Sequence, residues 1–184
     1  MKPVERQDIV DFATYEAGRD EFRARVLAVK APRRVHIGEN LTLLFENRLT
    51  ARYQVQEMTR AERIVREADI LHELNTYNEL LGGAGELGCT LLVEIDDPAE
   101  RARKLAAWLS LPEKIYLELA DGSRAWAQID ERQRDAGKIS AVQFLKFNTG
   151  GRVPVAAGVE HPELSAATML NEAQSQALAE DLAE

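Results

Sequence analysis

Four side chains in this sequence have the types and spacing to do chemistry: Glu46, Asn47, Gln54 and Glu57. Two carboxylates and two amides fall where a strand ending at Phe45–Arg48 runs into a long helical pattern starting at Thr50. With Met58 at the origin of a helical wheel, Ala51, Val55, Met58, Ala61, Ile64, Val65 and Ala68 share one arc. Gln54 falls inside that arc, about 40° from Met58, and Glu57 lies between Ala68 and Ile64. A buried amide or carboxylate is costly unless it is paired, so both side chains call for partners. Arg33, Arg34 and Arg48 are the nearest cations in sequence, and Arg60 follows one helical turn later. Such a set can work in two ways. It can fasten helix to sheet as a structural polar network. Alternatively it can form a ligand pocket, with Glu57 as general base or anchor, Gln54 and Asn47 orienting the ligand, and an arginine holding an anion.

Other chemistry finds little support. His36, His72 and His161 are the only histidines, and His72-Glu73-Leu74-Asn75-Thr76 lacks the second histidine of a zinc-protease helix. A carboxylate-only metal site from Glu46, Glu57 and Glu62 is disfavoured by the arginines around it, so no metal site is expected. Cys89 is the single cysteine, which leaves no internal disulfide and no cysteine-based zinc or iron–sulfur site. It reads as a small buried apolar residue. Gly83-Ala84-Gly85-Glu86-Leu87-Gly88 matches G-x-G-x-x-G, but runs from a helix into a strand. A dinucleotide site needs the opposite order, so that a helix N-terminus meets the phosphate. The run is expected to be a helix C-cap and loop. No catalytic residue is assigned, and no cofactor is indicated.

The elements that must position these residues follow from periodicity. A short helical segment spans residues 5–12, and a helix runs from Thr14 to Lys30 with Tyr15, Phe22, Val26 and Val29 at helical spacing. Val35–Ile37 and Leu41–Glu46 read as a hairpin about Gly38. The helix capped by Thr50 breaks near Asp69, which caps a second helix through Leu81. Cys89–Ile95 is a strand, and Asp97-Pro98-Ala99-Glu100 opens a helix. Lys114–Ala120 and Arg124–Asp130 flank the tight turn Asp121-Gly122, residues 131–138 form a polar loop, and Ser140–Asn148 is a further strand. Alternation in Ile115/Leu117/Leu119 and Ala125/Ala127/Ile129 points to antiparallel pairing, with Trp126 on the opposite face. The expected fold is therefore α+β: a largely antiparallel sheet of about five or six strands with helices packed mainly on one face. Residues 1–150 form a single α+β domain in this reading. Residues 151–184 follow as an irregular segment over Gly150–Pro162 and an acidic helix over Ser165–Leu182.

Composition bounds the partners. The 184 residues carry a net charge of −8. Lys30–Arg66 holds eight Lys/Arg against four Asp/Glu, a local surplus, and no Lys or Arg follows Arg152. Nucleic acid is not an expected partner. Nothing approaches a membrane span, and the acidic start is unlike a signal peptide, so a cytoplasmic protein is expected.

Several stretches resemble a bacterial family of unknown function, domain-of-unknown-function thirty-five-oh-one. They are Lys30-Ala31-Pro32-Arg33-Arg34-Val35-His36-Ile37-Gly38, Leu43–Thr50, Gln54–Arg63, Glu73–Leu80, Thr90–Ile95, Val142–Phe147 and His161-Pro162. The resemblance covers nearly the whole chain. It implies a context rather than an activity: similar proteins are encoded beside rubrerythrin-like proteins and iron–sulfur proteins, which suggests redox or peroxide-stress metabolism. With no metal-binding cysteines here, any redox centre would belong to the partner. The leading expectation is a non-catalytic accessory or binding protein that docks onto such a redox partner or onto itself. The alternative is a small-molecule enzyme or sensor, binding an anionic ligand between the Phe45–Arg48 strand end and the Thr50–Ala68 helix. A third is a homodimer joined through the Trp126 face.

Overall fold

Alternation of apolar and polar residues along strands curls the chain around its own interior. The computed structural model describes residues 1–130 and 137–184, so the expected loop at 131–138 lies mostly outside the described residues. Eight strands are described: β1 (Arg34–Ile37), β2 (Leu41–Phe45), β3 (Glu86–Val93), β4 (Ile115–Leu119), β5 (Arg124–Ile129), β6 (Val142–Asn148), β7 (Pro154–His161) and β8 (Leu164–Met169). They are antiparallel in the order β1-β2-β3-β6-β5-β4-β7-β8, and the outer strands β1 and β8 approach one another, giving a nearly closed barrel. Closure removes most of the exposed edge that an open sheet would present.

The inward-pointing rows make the main core. Val35, Ile37, Leu43, Phe45, Leu91 and Phe147 are fully or almost fully buried, and small Ala125, Ala127 and Ala157 leave room for them. Five helices pack outside: α1 (Phe12–Lys30), α2 (Arg48–Ala61), α3 (Glu67–Asn78), α4 (Pro98–Ala107) and α5 (Glu172–Ala183). A second, smaller core joins the N-terminal segment to α2 and α3 through Val4, Ile9, Ala51, Val55, Ile70, Leu74 and Leu81. Among the described residues no helix is long and apolar enough to cross a membrane.

The α+β class is as expected, but the strand count is eight rather than five or six. The two additional strands are β7 and β8, where an irregular segment and the start of a helix at Ser165 were expected. Their sequence hides them. Pro154-Val155-Ala156-Ala157-Gly158 is poor in the branched and aromatic residues that mark strands. Gly158 is there for another reason: a Cβ on it would sit 2.4 Å from the ring of Tyr116, its cross-strand partner on β4. The acidic helix is real but shorter, beginning at the Asn171 cap.

Helix boundaries also move. Asn47, not Thr50, caps α2, with a reciprocal pair of bonds between the two residues. The same helix ends at Ala61, because Arg63 adopts a left-handed conformation with φ of 52°. Asp69 lies in the first turn of α3 rather than at its cap. By contrast the Asp97 cap forms as expected, accepting from the Glu100 amide at 2.7 Å. Asp121-Gly122 turns β4 into β5, with Gly122 at φ of 78°.

Candidate functional site

The early end of α2 determines where the eight candidate side chains go. Ile64, Val65 and Ala68 pull the helical wheel toward their own side, yet none of them lies on α2. The buried face lies about 100° from the expected arc, and the loss of these three residues accounts for only part of that turn. Ala51, Val55, Gln56 and Thr59 are buried, and Gln54 is only half-buried. Gln56 takes the inward amide position expected for Gln54: its Oε1 accepts from the Val10 amide at 2.7 Å and its Nε2 donates to the Val10 carbonyl at 3.2 Å. No pattern within the helix could show this, because the N-terminal segment is what covers that face.

Instead of one pocket, the structure distributes the candidates over separate contacts. Glu57 faces α1, where its carboxylate accepts from Tyr15 Oη at 2.6 Å and from both sides of the Arg19 guanidinium at 2.8 and 2.9 Å. Arg19, and after it the Tyr15 hydroxyl, hold this carboxyl below the usual glutamate range, while burial pulls the other way. Burial and the same carboxylate push the Tyr15 phenol up. Arg60 pairs with Glu16 on α1 as well. Arg48 reaches Asp8 and the Pro3 carbonyl in the N-terminal segment.

Arg33 is buried and turned the other way, toward α5. It forms a two-pronged pair with Asp181 at 2.8 Å on each side and donates to the Val29 and Ala177 carbonyls. Asn47 Nδ2 joins the same carboxylate at 3.3 Å. Asp181 was not singled out in the sequence, since an acidic residue in an acidic tail has nothing to distinguish it. Arg34 lies on the outside of β1, 3.8 Å from Glu94. Nearby the Thr42 hydroxyl contacts both His36 Nδ1 and the Glu94 carboxylate. This trio superficially suggests an activated nucleophile, but Thr42 is 1 % exposed and cannot be reached by a substrate.

Glu46 is the exception among the eight. It is 1 % exposed, one oxygen accepts from Thr90 Oγ1 at 2.9 Å, and the other meets no hydrogen-bond partner among the described residues. Its carboxylate and, above all, burial push the Cys89 thiol well up, which makes that sulfur a poor nucleophile. Among the described residues no three His, Cys, Asp or Glu groups are placed to hold a metal.

Open space lies elsewhere. A cleft of about 760 Å³ runs between the C-terminal end of α3 and the outer face of β5 and β6, with Tyr77, Leu80, Gln128, Ile129, Phe144 and Lys146 on its walls. None of the eight candidates lines it. Its shape depends on a glycine: a Cβ on Gly88 would lie 1.8 Å from the Leu80 carbonyl oxygen, so only glycine lets the end of α3 settle onto β3. Gly88 is flanked by Lys146 in the register of β6 and by Glu46, whose amide donates to the Gly88 carbonyl. The end of α3 thus covers Gly88, which separates a buried Glu46 from a Lys146 that faces the cleft. Gly85, at φ of 72°, abuts Gly150 and Gly151. The glycine run is a joint between backbones; the loop expected for it ends at Gly85, and Glu86, Leu87 and Gly88 already belong to β3, which begins three residues before the expected Cys89. A smaller cleft of about 320 Å³ sits at the α2–α3 break beside Phe12, Arg63, Ile64 and Val65.

Comparison with solved structures finds the same fold. A crystal structure of a protein of unknown function from Burkholderia pseudomallei is 31% identical, with a TM-score of 0.90 over 98% of this chain and 100% of that one. None of the curated proteins matches. The family model described as protein of unknown function (DUF3501) matches residues 3–182, and the chain belongs to that family.

Proposed function

We propose that this chain is a non-catalytic binding protein whose working element is the cleft between the end of α3 and the outer face of β5 and β6. The observation that carries this reading is the cleft itself. Its volume of about 760 Å³ falls in the range of small-molecule sites, and its walls combine aromatic and aliphatic side chains with a few polar groups. Phe144 is 40% exposed there, a large apolar surface to leave facing water. The wider setting is the one the family resemblance implies: an accessory protein of a redox or peroxide-stress system. In that setting it docks onto a rubrerythrin-like or iron–sulfur partner, which would hold the redox centre.

The alternative, an enzyme or sensor with an anionic ligand beside the Phe45–Arg48 strand end, ranks second. Its proposed donors Arg33 and Arg48 are spent on Asp181 and Asp8, and its proposed base Glu57 is spent on Arg19 and Tyr15.

A neutral apolar dye, Nile red, tests the cleft. Saturable binding is expected in the wild type and a loss of at least tenfold in Gln128→Trp, which fills the cleft from an exposed strand position. Val65→Trp, on an exposed residue of the other cleft, is expected to leave the wild-type affinity. No saturable binding, or equal binding by Gln128→Trp, overturns the reading.

A further inference from the structure

We infer that the ligand of this cleft is an amphipathic monocarboxylate, a molecule with an alkyl or aryl body and one carboxylate head, which Lys146 and Tyr77 receive. The inference rests on the cleft being a binding site and adds the chemistry of what enters it. Polar groups on a cleft wall that no other residue occupies are free to receive a ligand, so their chemistry describes the partner the wall suits. Among the described residues the Lys146 ammonium has no hydrogen bond or ion pair, although it is half-buried on β6 between Gly88 and Gln128 in the strand register. Its only roles are those of a cation and a donor of three hydrogen bonds. The Tyr77 hydroxyl likewise has no hydrogen-bond partner among the described residues. Glu79 and Asp130, on the same walls, each interact with another group. What remains unspent is therefore donor capacity, and a carboxylate is the acceptor that takes two such donors at once.

The rest of the lining specifies the body of the molecule. Leu80, Ile129 and Phe144 supply apolar surface, with room for a chain of roughly ten to twelve carbons, judged from the size of known small-molecule sites. The surroundings also limit the head group. Burial and the carboxylates Glu73, Glu62 and Glu46 hold the Tyr77 phenol protonated, so it stays a donor. The same three negative charges oppose a dianion such as a phosphate monoester more strongly than a single carboxylate.

Isothermal titration of the intact protein with dodecanoate, dodecanol and dodecylammonium, each below its micelle concentration, separates the possibilities. The wild type is expected to bind dodecanoate at least tenfold more tightly than dodecanol. Lys146→Met keeps the length of the side chain and removes its charge; it is expected to lose that tenfold preference, its dodecanoate affinity falling to that for dodecanol. Dodecanol binding equal to dodecanoate in the wild type, or an undiminished preference in Lys146→Met, overturns the carboxylate assignment and leaves the cleft as an apolar site. Tighter binding of dodecylammonium overturns it in favour of a cation. Failure of all three to bind overturns the cleft reading as well. Circular dichroism of Lys146→Met, expected to match the wild type, guards against a folding defect, and Lys146→Arg, which restores the charge, is expected to restore the preference.

Discussion

The junction at the start of α2 and the cleft at the end of α3 are built from similar residues and treat them oppositely. At the junction Arg33, Asn47 and Asp181 are buried and satisfy one another. In the cleft Lys146 and Tyr77 are half-buried and answered by nothing in the described chain. A density of charge in the sequence therefore marks where the chain needs internal fastening. The place to look for a ligand is where polar groups remain unspent after folding. The difference is one of partner supply. Two carboxylates, Asp181 on α5 and Asp8 in the N-terminal segment, come to the arginines of the junction from the two ends of the chain. No comparable group among the described residues reaches Lys146.

Four substitutions test that contrast. Asp181→Ala is expected to have the largest effect: it takes the two-pronged partner from the buried Arg33 guanidinium and leaves only the exposed Glu180 carboxylate 4.0 Å away, a loss of about 3–5 kcal/mol in the stability measured by urea unfolding. Nile red binding at a temperature where the variant is still folded is expected to be unchanged; a change would mean that junction and cleft are not independent. Gly88→Ala comes next. Its methyl group meets a backbone oxygen that cannot simply swing away, at a cost of about 1–3 kcal/mol, and by lifting the end of α3 it is expected to alter dye affinity too. Undisturbed stability and binding would show that α3 does not need this contact to shape the cleft.

Asn47→Ala removes the cap of α2 and a bond to Asp181, an expected loss of about 1 kcal/mol in the same unfolding experiment. The smallest change is expected at Glu57 and concerns pH. Its folded-state pKa lies below the ordinary 4.5, so its stabilisation is fully present above that value and is lost as pH falls through the lowered folded value. The Tm of the wild type should therefore fall in this acid window, and Glu57→Gln should flatten part of that fall. Identical acid limbs in the two proteins would mean that the Arg19 pair contributes nothing measurable.

The α+β class, six of the eight strands and the Asp97 cap could be read from residues alone because each depends on neighbours in sequence. Alternation, turn chemistry and a capping carboxylate are local signals. Expectation and structure part where the signal is non-local. Gln54 and Gln56 are both amides on one helix, and only the N-terminal segment crossing above Gln56 decides which is inside. β7 looks irregular until Tyr116 on a neighbouring strand explains Gly158. The candidate list contains the inward-facing Arg33, Glu46 and Asn47, yet it omits Asp181, which lies 148 residues from Arg33.

By itself the sequence determined six of the eight strands and the places of the helices, since those choices rest on periodicity and on residues a few positions apart. It also determined that no disulfide could form within these 184 residues, because they hold one cysteine. Closure of eight strands into a barrel, the pairing of Arg33 with Asp181 and the opening of a cleft beside Lys146 were decided only in three dimensions. Each depends on which distant groups arrive at the same place, and a buried charge is tolerated or left waiting according to what meets it there.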